Sequence, residues 1–463
     1  MDRTKEISYL RECKRLSNNK FFSLCIFGLR RVGKTRLILE FLDNEDIYFF
    51  VNKDKQGESL LKEYEDALKN RKVLGKLESL NGWDDFFNVL FERFRGLVAF
   101  DEFQNFAYVY KSVFGILQKN IDLNEDKKKI LMLFSGSTVG LIKKIFLDEK
   151  EPLYGRLKRK MHLKPLPFPD IVDVCSELGI DNVEDVIRLY SVFGGFPKYY
   201  TAIEDEMMNG RSPEEIFEKF FFVENAVFED EANAILSLEF GKRKGVYYDI
   251  LAAIANGNTR ISEIASSLRK KETALTRQVN ELTNYFNIVG VKRQVCGKKT
   301  SMFIEHPLID FWFRFFYKDM SLYKMRDRYL IDKIRDNMNG YIGKRFEKVC
   351  ENILINAMPF RPTDIGNQWG KFKGEKGKNT YEIDIVAISD KEKKILFAEC
   401  KWSDAVDAEK VYDDLLSKKR LVDWHKDSRE EYFAVFARSF KKKTKHKNIY
   451  LFDLKDIKKL ITR

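Results

Sequence analysis

The sequence predicts an α/β chain of several domains, and three observations carry that reading. An apolar run at 21–27 (FFSLCIF) enters a glycine-bearing turn and leaves it as a segment of helical spacing, RLILEFLDN. Apolar runs at 47–52, 96–104 and 128–137 then alternate with helix-period segments, the order that builds a mostly parallel sheet between helical layers. The chain has 463 residues, more than one hydrophobic core holds, so about three domains are expected.

The elements justify this in order. Residues 1–167 form the strand–helix core. Residues 168–240 are helical, broken at Gly194-Gly195-Phe196-Pro197, and predict a helical lid. Residues 241–304 give three helices (VYYDILAAIANG, RISEIASSLR, ETALTRQVNELTNYF) and a hairpin turning at Gly297, the pattern of a winged helix-turn-helix. Residues 305–335 read as a helical connector in which FWFRFFY is a buried helix. Residues 336–463 start with a helix and continue as two strands, a helix and a strand, a separate α/β domain.

Composition bounds the function. The chain is 44% apolar and 33% charged with 9 prolines, which excludes disordered and fibrous classes. The net charge is +12, and 341–463 alone carries 28 Lys and Arg against 20 Asp and Glu. That surplus favours nucleic acid, DNA in particular, as partner. The cluster KKKTKHK (441–447) adds to it, though a solvated basic loop reads the same way. Six scattered cysteines include no C-x-x-C pair, and the four histidines lack ligand spacing, so reduced core thiols and no zinc site are expected. No segment reads as a signal peptide or a membrane span, and a cytoplasmic location is expected.

The most specific motif is Gly28-x4-Gly33-Lys34-Thr35. The glycines let the backbone curl its N–H groups toward phosphate. Lys34 bridges β- and γ-phosphate oxygens, and the Thr35 hydroxyl can ligate Mg²⁺. The helix from Arg36 contributes its positive end. Nucleotide contacts are therefore expected from Gly28, Arg31, Val32, Gly33, Lys34, Thr35 and Arg36. The strand LVAFDEF brings Asp101 and Glu102 to its carboxyl end, Asp101 for Mg²⁺ and Glu102 to polarise the attacking water. Ser135 or Ser137 is a candidate γ-phosphate sensor, and Arg156 a candidate arginine finger with a surface arginine as the alternative.

GLRRVGKT, AFDEFQ, FSGS, PLYGR and GGFPKYY, in that order over residues 5–235, resemble the archaeal ATPase family, which groups with AAA+ and STAND NTPases. The resemblance implies a P-loop NTPase sheet that uses ATP rather than GTP, with Lys34, Thr35, Asp101 and Glu102 in the roles just argued.

In the winged helix, Ile261, Ile264, Ala265, Leu268, Leu275, Val279 and Leu282 are the expected core. Thr273, Thr276, Arg277 and Gln278 would face a DNA groove, with Lys292, Arg293, Lys298 and Lys299 on the wing. Packing against a partner is the competing reading.

In the last domain Asp384 alternates with Ile383 and Ile385, and Glu399 and Lys401 share a strand face. A short turn joins the two strands, so the carboxylates can meet on one side of a hairpin. Glu347, Asp384 and Glu399 are candidate ligands for Mg²⁺ or Mn²⁺, and Lys401 would orient water or stabilise charge on phosphorus. Glu…Asp…Glu-x-Lys over 336–463 resembles the PD-(D/E)xK nuclease fold, with Ile383 where that motif has proline, and the domain of unknown function that often follows archaeal ATPase domains. The resemblance implies a restriction-endonuclease-like α/β domain; a binding-only domain or a Glu399–Lys401 hairpin ion pair is the alternative.

Two functions follow. In the first, an ATPase acts on DNA and its ATP state controls a metal-dependent nuclease-like domain. In the second, ATP stabilises a closed or homo-oligomeric state of a STAND-like switch whose last domain only binds DNA or protein.

Overall fold

A computed structural model describes residues 3–126, 129–241, 244–374 and 377–461. The chain divides into two compact units. One comprises Met1–Pro165 with Phe196–Lys198 and Asn284–Asn287; the other comprises Leu166–Gly195, Tyr199–Thr283 and Ile288–Arg463. Among the described residues no helix is long and apolar enough to cross a membrane.

In the first unit helix α1 (Thr4–Ser17) precedes β1 (Phe22–Phe27), the phosphate-loop segment and α2 (Lys34–Phe41). The remaining strands are β2 (Ile47–Phe50), β3 (Gly96–Asp101), β4 (Ile130–Gly136) and β5 (Arg159–His162). All pairings are parallel, in the order β2-β3-β4-β1-β5. Every residue of β1 and β4 is buried, as strands covered on both faces require. One face packs on an aromatic layer that includes Phe49, Tyr64, Phe86 and Phe100; Leu24, Ile26, Leu37 and Leu133 fill the other. β1 and β3, which carry the two halves of the phosphate motif, flank β4, so their carboxyl ends open on one side.

The second unit opens with helices Phe168–Glu177 and Val183–Phe193. Gly194 then sits at φ 57°, and a Cβ on Gly195 would lie 1.8 Å from the Leu166 carbonyl oxygen. These constraints explain the paired glycines. Helices α3 (Gly245–Ala255), α4 (Ile261–Ser267) and α5 (Glu272–Asn280) lead into β6 (Val289–Arg293) and β7 (Thr300–Ile304), an antiparallel hairpin. Ile264, Ala265, Leu275 and Leu282 are buried, whereas Ile261, Leu268 and Val279 are half-buried. Thr273, Thr276 and Arg277 are exposed on α5, and Gln278 is half-buried.

A single helix, α6, runs for 30 residues from Arg328 to Ala357, so the end of the connector and the opening of the last domain are one rod. A five-stranded mixed sheet follows: β8 (Asp364–Gly374), β9 (Gly377–Ser389), β10 (Lys394–Lys401), β11 (Glu430–Ala437) and β12 (Ile449–Phe452), with α7 (Ala408–Lys419) between β10 and β11. Its order is β12-β11-β10-β9-β8, antiparallel from β8 to β10 and parallel beyond. The sequence reading omitted β8 and β12. Both are edge strands, and the described part of β8 is polar and glycine-rich, without the apolar alternation that marks a strand.

Candidate functional site

The first site is built where β1, β3 and β4 end. The loop after β1 has Arg31 at φ 68° and Gly33 at φ 95°, both left-handed, which reverses the chain before α2. A Cβ on Gly28 would lie 2.3 Å from the Leu163 carbonyl oxygen, so only glycine fits there. Lys34 is buried, and its Nζ donates to the Gly28 and Leu29 carbonyls, each at 2.9 Å. It therefore spans the loop from within. Val32 is buried behind the loop, while the Arg36 side chain is exposed and pairs with Glu40 at 3.2 Å.

Asp101 at the end of β3 is 1% exposed, and its described hydrogen-bond partners are neutral. Thr35 Oγ1 donates at 2.7 Å and Tyr48 OH at 2.9 Å to Oδ2; Ser135 Oγ and the Glu102 N–H reach Oδ1. Hydroxyls satisfy the carboxylate without cancelling its charge, the condition a Mg²⁺ ligand needs. Burial and the Asp101 charge together push the Tyr48 phenol upward, so Tyr48 remains a donor. Glu102 stands at φ 54°, a strained turn that lifts it out of the strand, and accepts from Ser137 Oγ at 2.8 Å and from Gln104. A Cβ on Gly136 would lie 2.4 Å from Gln104 Oε1, so the glycine between the two serines leaves room for that glutamine.

The structure thus joins Lys34, Thr35, Asp101, Glu102, Ser135 and Ser137, and adds Tyr48, which sequence reasoning missed. Tyr48 reads as an ordinary strand residue, and only the β2–β3 register exposes its role. Arg156 is placed with Asp122, Nε to Oδ1 at 3.0 Å and a second guanidinium nitrogen to Oδ2 at 2.9 Å. Such a bidentate pair on the surface contributes ~0–1 kcal/mol.

The second cluster lies on the mixed sheet. The β9–β10 pairing ends at Ile385 with Ala398; one step on, Asp384 and Glu399 come opposite each other. The Cys400 N–H donates to Asp384 Oδ2 at 2.8 Å. Burial, then Glu399 and Glu347, raise the Asp384 carboxyl to about 8. Burial also raises Glu347, while Lys292 opposes the rise. Asn367 Nδ2 donates to Glu347 Oε2 at 3.1 Å and to the Asp384 carbonyl at 2.7 Å. Glu399 is 1% exposed, and both its oxygens are held by ammonium groups: Lys401, and Lys418 of α7 at 2.8 Å. Burial would lower the pKa of both lysines, but their carboxylate partners more than offset it and raise them. Among the described residues no group of three or more His, Cys, Asp and Glu is arranged to hold a metal ion. Glu347, Asp384 and Glu399 are neighbours, but not a ready ligand set, because the two lysines neutralise Glu399.

A parallel sheet whose first strand ends in a glycine loop, with a lysine and threonine facing an acid two strands away, defines a P-loop ATPase domain. More narrowly, residues 1–203 match the family described as an ATPase domain predominantly from Archaea, and residues 312–411 match the family described as Archaea bacterial proteins of unknown function. An uncharacterized protein of Methanocaldococcus jannaschii is 28% identical over 469 residues, covering 98% of this chain and 99% of that one. The Walker-type ATPase of Pyrococcus abyssi superposes with a TM-score of 0.52 at 21% identity, over 68% of this chain and 95% of that one. The ORC2 protein of Aeropyrum pernix gives a TM-score of 0.46 at 17% identity, over 72% and 95%. At 21% identity the likeness to the Pyrococcus abyssi ATPase speaks to fold.

Proposed function

We propose that this chain binds and hydrolyses ATP, acts on DNA, and uses its ATP state to control phosphodiester cleavage by the last domain. The observation that carries the ATPase part is the join of Thr35 and Asp101 at 2.7 Å beside the buried Lys34. The loop N–H groups and Lys34 would hold the triphosphate, and Thr35 and Asp101 would hold Mg²⁺. A bound Mg²⁺ ion neutralises charge on the phosphates. Glu102 orients and polarises the attacking water, and Arg156 is the candidate to supply transition-state charge after exchanging Asp122 for phosphate.

The exposed α5 face (Thr273, Thr276, Arg277) and the basic surplus support DNA as partner. The Asp384–Glu399–Lys401 arrangement supports cleavage, with Mg²⁺ or Mn²⁺ held by Asp384, Glu347 and Glu399 once a lysine yields. The second reading, an ATP-dependent switch or scaffold that assembles with copies of itself, is favoured by one observation: Glu399 already has two lysine partners.

Labelled single- and double-stranded DNA incubated with Mg²⁺ or Mn²⁺, with and without ATP, tests the two. Cleavage lost in Asp384→Ala and altered in Lys34→Ala supports the ATP-controlled nuclease. Intact ATP turnover with no cleavage by any form, and nucleotide-dependent assembly, supports the switch.

A further inference from the structure

The wing hairpin does not stand free of the last domain. Its turn, residues 294–299, is bonded along the edge strand β8. Gln294 Nε2 donates to the Trp369 carbonyl, the Cys296 N–H to Gln368 Oε1 at 3.0 Å, and the Val295 N–H to the Asn367 carbonyl at 3.4 Å. Gln294 Oε1 accepts from the Lys299 N–H at 3.1 Å, so one side chain closes the wing turn and ties it to the sheet. Gln294 and Gln368 are 6% and 3% exposed. Burying two amides this completely is tolerated only when both are bonded, which makes the junction specific.

The junction falls on an irregularity. The β8–β9 register slips between Gly366 and Gln368: Asn367 alone stands opposite Ile385 and Asp384, so the extra residue of the bulge lies on β9. Bulges re-aim side chains, often beside active sites. Here Asn367 turns inward, 9% exposed, and its one Nδ2 serves both Glu347 Oε2 and the Asp384 carbonyl. A Cβ on Gly366 would sit 3.5 Å from Val295 Cγ2, so the wing packs on β8 directly beside the bulge. Lys292, exposed on the same hairpin, acts electrostatically on Glu347.

We infer that the wing is a working part of the carboxylate site: through Gln294 it fixes β8 opposite the bulge, through Asn367 it positions Glu347 and Asp384, and with Lys292 it holds a phosphodiester against them. The wing and the carboxylates then engage the same stretch of nucleic acid. Asn367 and Gln294 are positioning residues. The inference rests on the cleavage reading above and specifies how the winged helix serves it.

Full-length wild type, Gln294→Ala, Asn367→Ala and Lys292→Ala would be compared in two measurements. The first is amide hydrogen exchange over Asp364–Gly374, with α3 as internal reference for folding. Gln294→Ala is expected to speed exchange in β8 and leave α3 protected. The second is Mn²⁺-dependent cleavage of duplex DNA. Gln294→Ala and Asn367→Ala are expected to lower kcat about tenfold or more at unchanged KM, the scale on which partners of ligands act. Lys292→Ala is expected to raise KM severalfold at unchanged kcat. An open β8 with unchanged kcat overturns the positioning role, and unchanged β8 exchange in Gln294→Ala overturns the docking on which it depends. Wild type that cleaves nothing overturns the nuclease reading, and the β8 exchange still decides whether the wing holds β8 opposite the bulge.

Discussion

Two regions of this chain place acids at the carboxyl ends of strands, and they treat those acids differently. In the first unit Asp101 and Glu102 are held by hydroxyls, an amide and a backbone N–H. In the second, Glu399 is held by Lys401 and Lys418. A hydroxyl fixes a carboxylate and leaves its charge for a cation; an ammonium fixes it and cancels the charge. The first site thus keeps its charge free for the divalent ion and triphosphate proposed for it. At the second, an ion has to compete with the protein's own cations.

The comparison breaks most visibly at its strong end. Lys34→Ala is expected to lower ATP hydrolysis about 1000-fold, at the upper range for losing one preorganised donor to developing charge. Phosphate release under single-turnover conditions checks this. Near wild-type turnover in that variant would mean that the triphosphate is not held where Thr35 and Asp101 meet.

At the weak end the acids affect stability. Asp384 is raised to about 8 by burial, then by Glu399 and Glu347, against an ordinary carboxylate near 4. The native state therefore retains a proton that the unfolded chain has lost. Sign follows: stability is full below pH 4 and declines as pH rises from about 4 to about 8. Asp384→Asn should flatten that slope and gain a few kcal/mol at pH 8, since four units at 1.36 kcal/mol each set the ceiling and the neighbours share the effect. Urea unfolding in chelator across pH 5–8 measures it. A slope equal to wild type would place the shared proton on another group.

Much of this was legible in the sequence because it is local. The phosphate loop is eight consecutive residues, and Asp101 and Glu102 directly follow the apolar run LVAF. Asp384, Glu399 and Lys401 were legible by strand alternation. Residues brought in by register or packing were not. Tyr48 reaches Asp101 from the neighbouring strand β2, and Lys418 reaches Glu399 only through the phase of α7 against β10. Asn367 was hidden for a different reason: its strand is polar and glycine-rich and its register to β9 slips, so periodicity gives it no signature.

Lys418 sharpens the comparison directly. Lys418→Met keeps most of the side-chain volume, removes one of the two cations on Glu399 and leaves Lys401 in place. Mn²⁺ affinity at the second cluster is expected to rise about tenfold, equivalent to ~1.4 kcal/mol. Calorimetric titration of metal-free protein carrying Lys34→Ala, which suppresses nucleotide at the first site, reads it. No gain in affinity would show that the lysines are not what separates the two clusters.

The smallest effect falls on Tyr48, one of the residues that sequence reasoning missed. Tyr48→Phe removes one of the donors to Asp101 and leaves Thr35, Ser135 and the Glu102 N–H in place. Losing one neutral hydrogen bond to a buried carboxylate costs ~1 kcal/mol or somewhat more. The remaining donors hold the carboxylate more loosely and solvate it less. The Mg²⁺ concentration for half-maximal ATPase should therefore shift about fivefold, with saturating turnover nearly unchanged. A looser, less solvated Asp101 should bind the cation more tightly if desolvation dominates, and less tightly if its aim dominates. The bidentate use of Asp101, with Tyr48 and Thr35 on Oδ2 and Ser135 on Oδ1, argues for aim. The expected shift is therefore toward higher Mg²⁺, and a shift the other way would mean that the hydroxyls restrain the acid rather than present it.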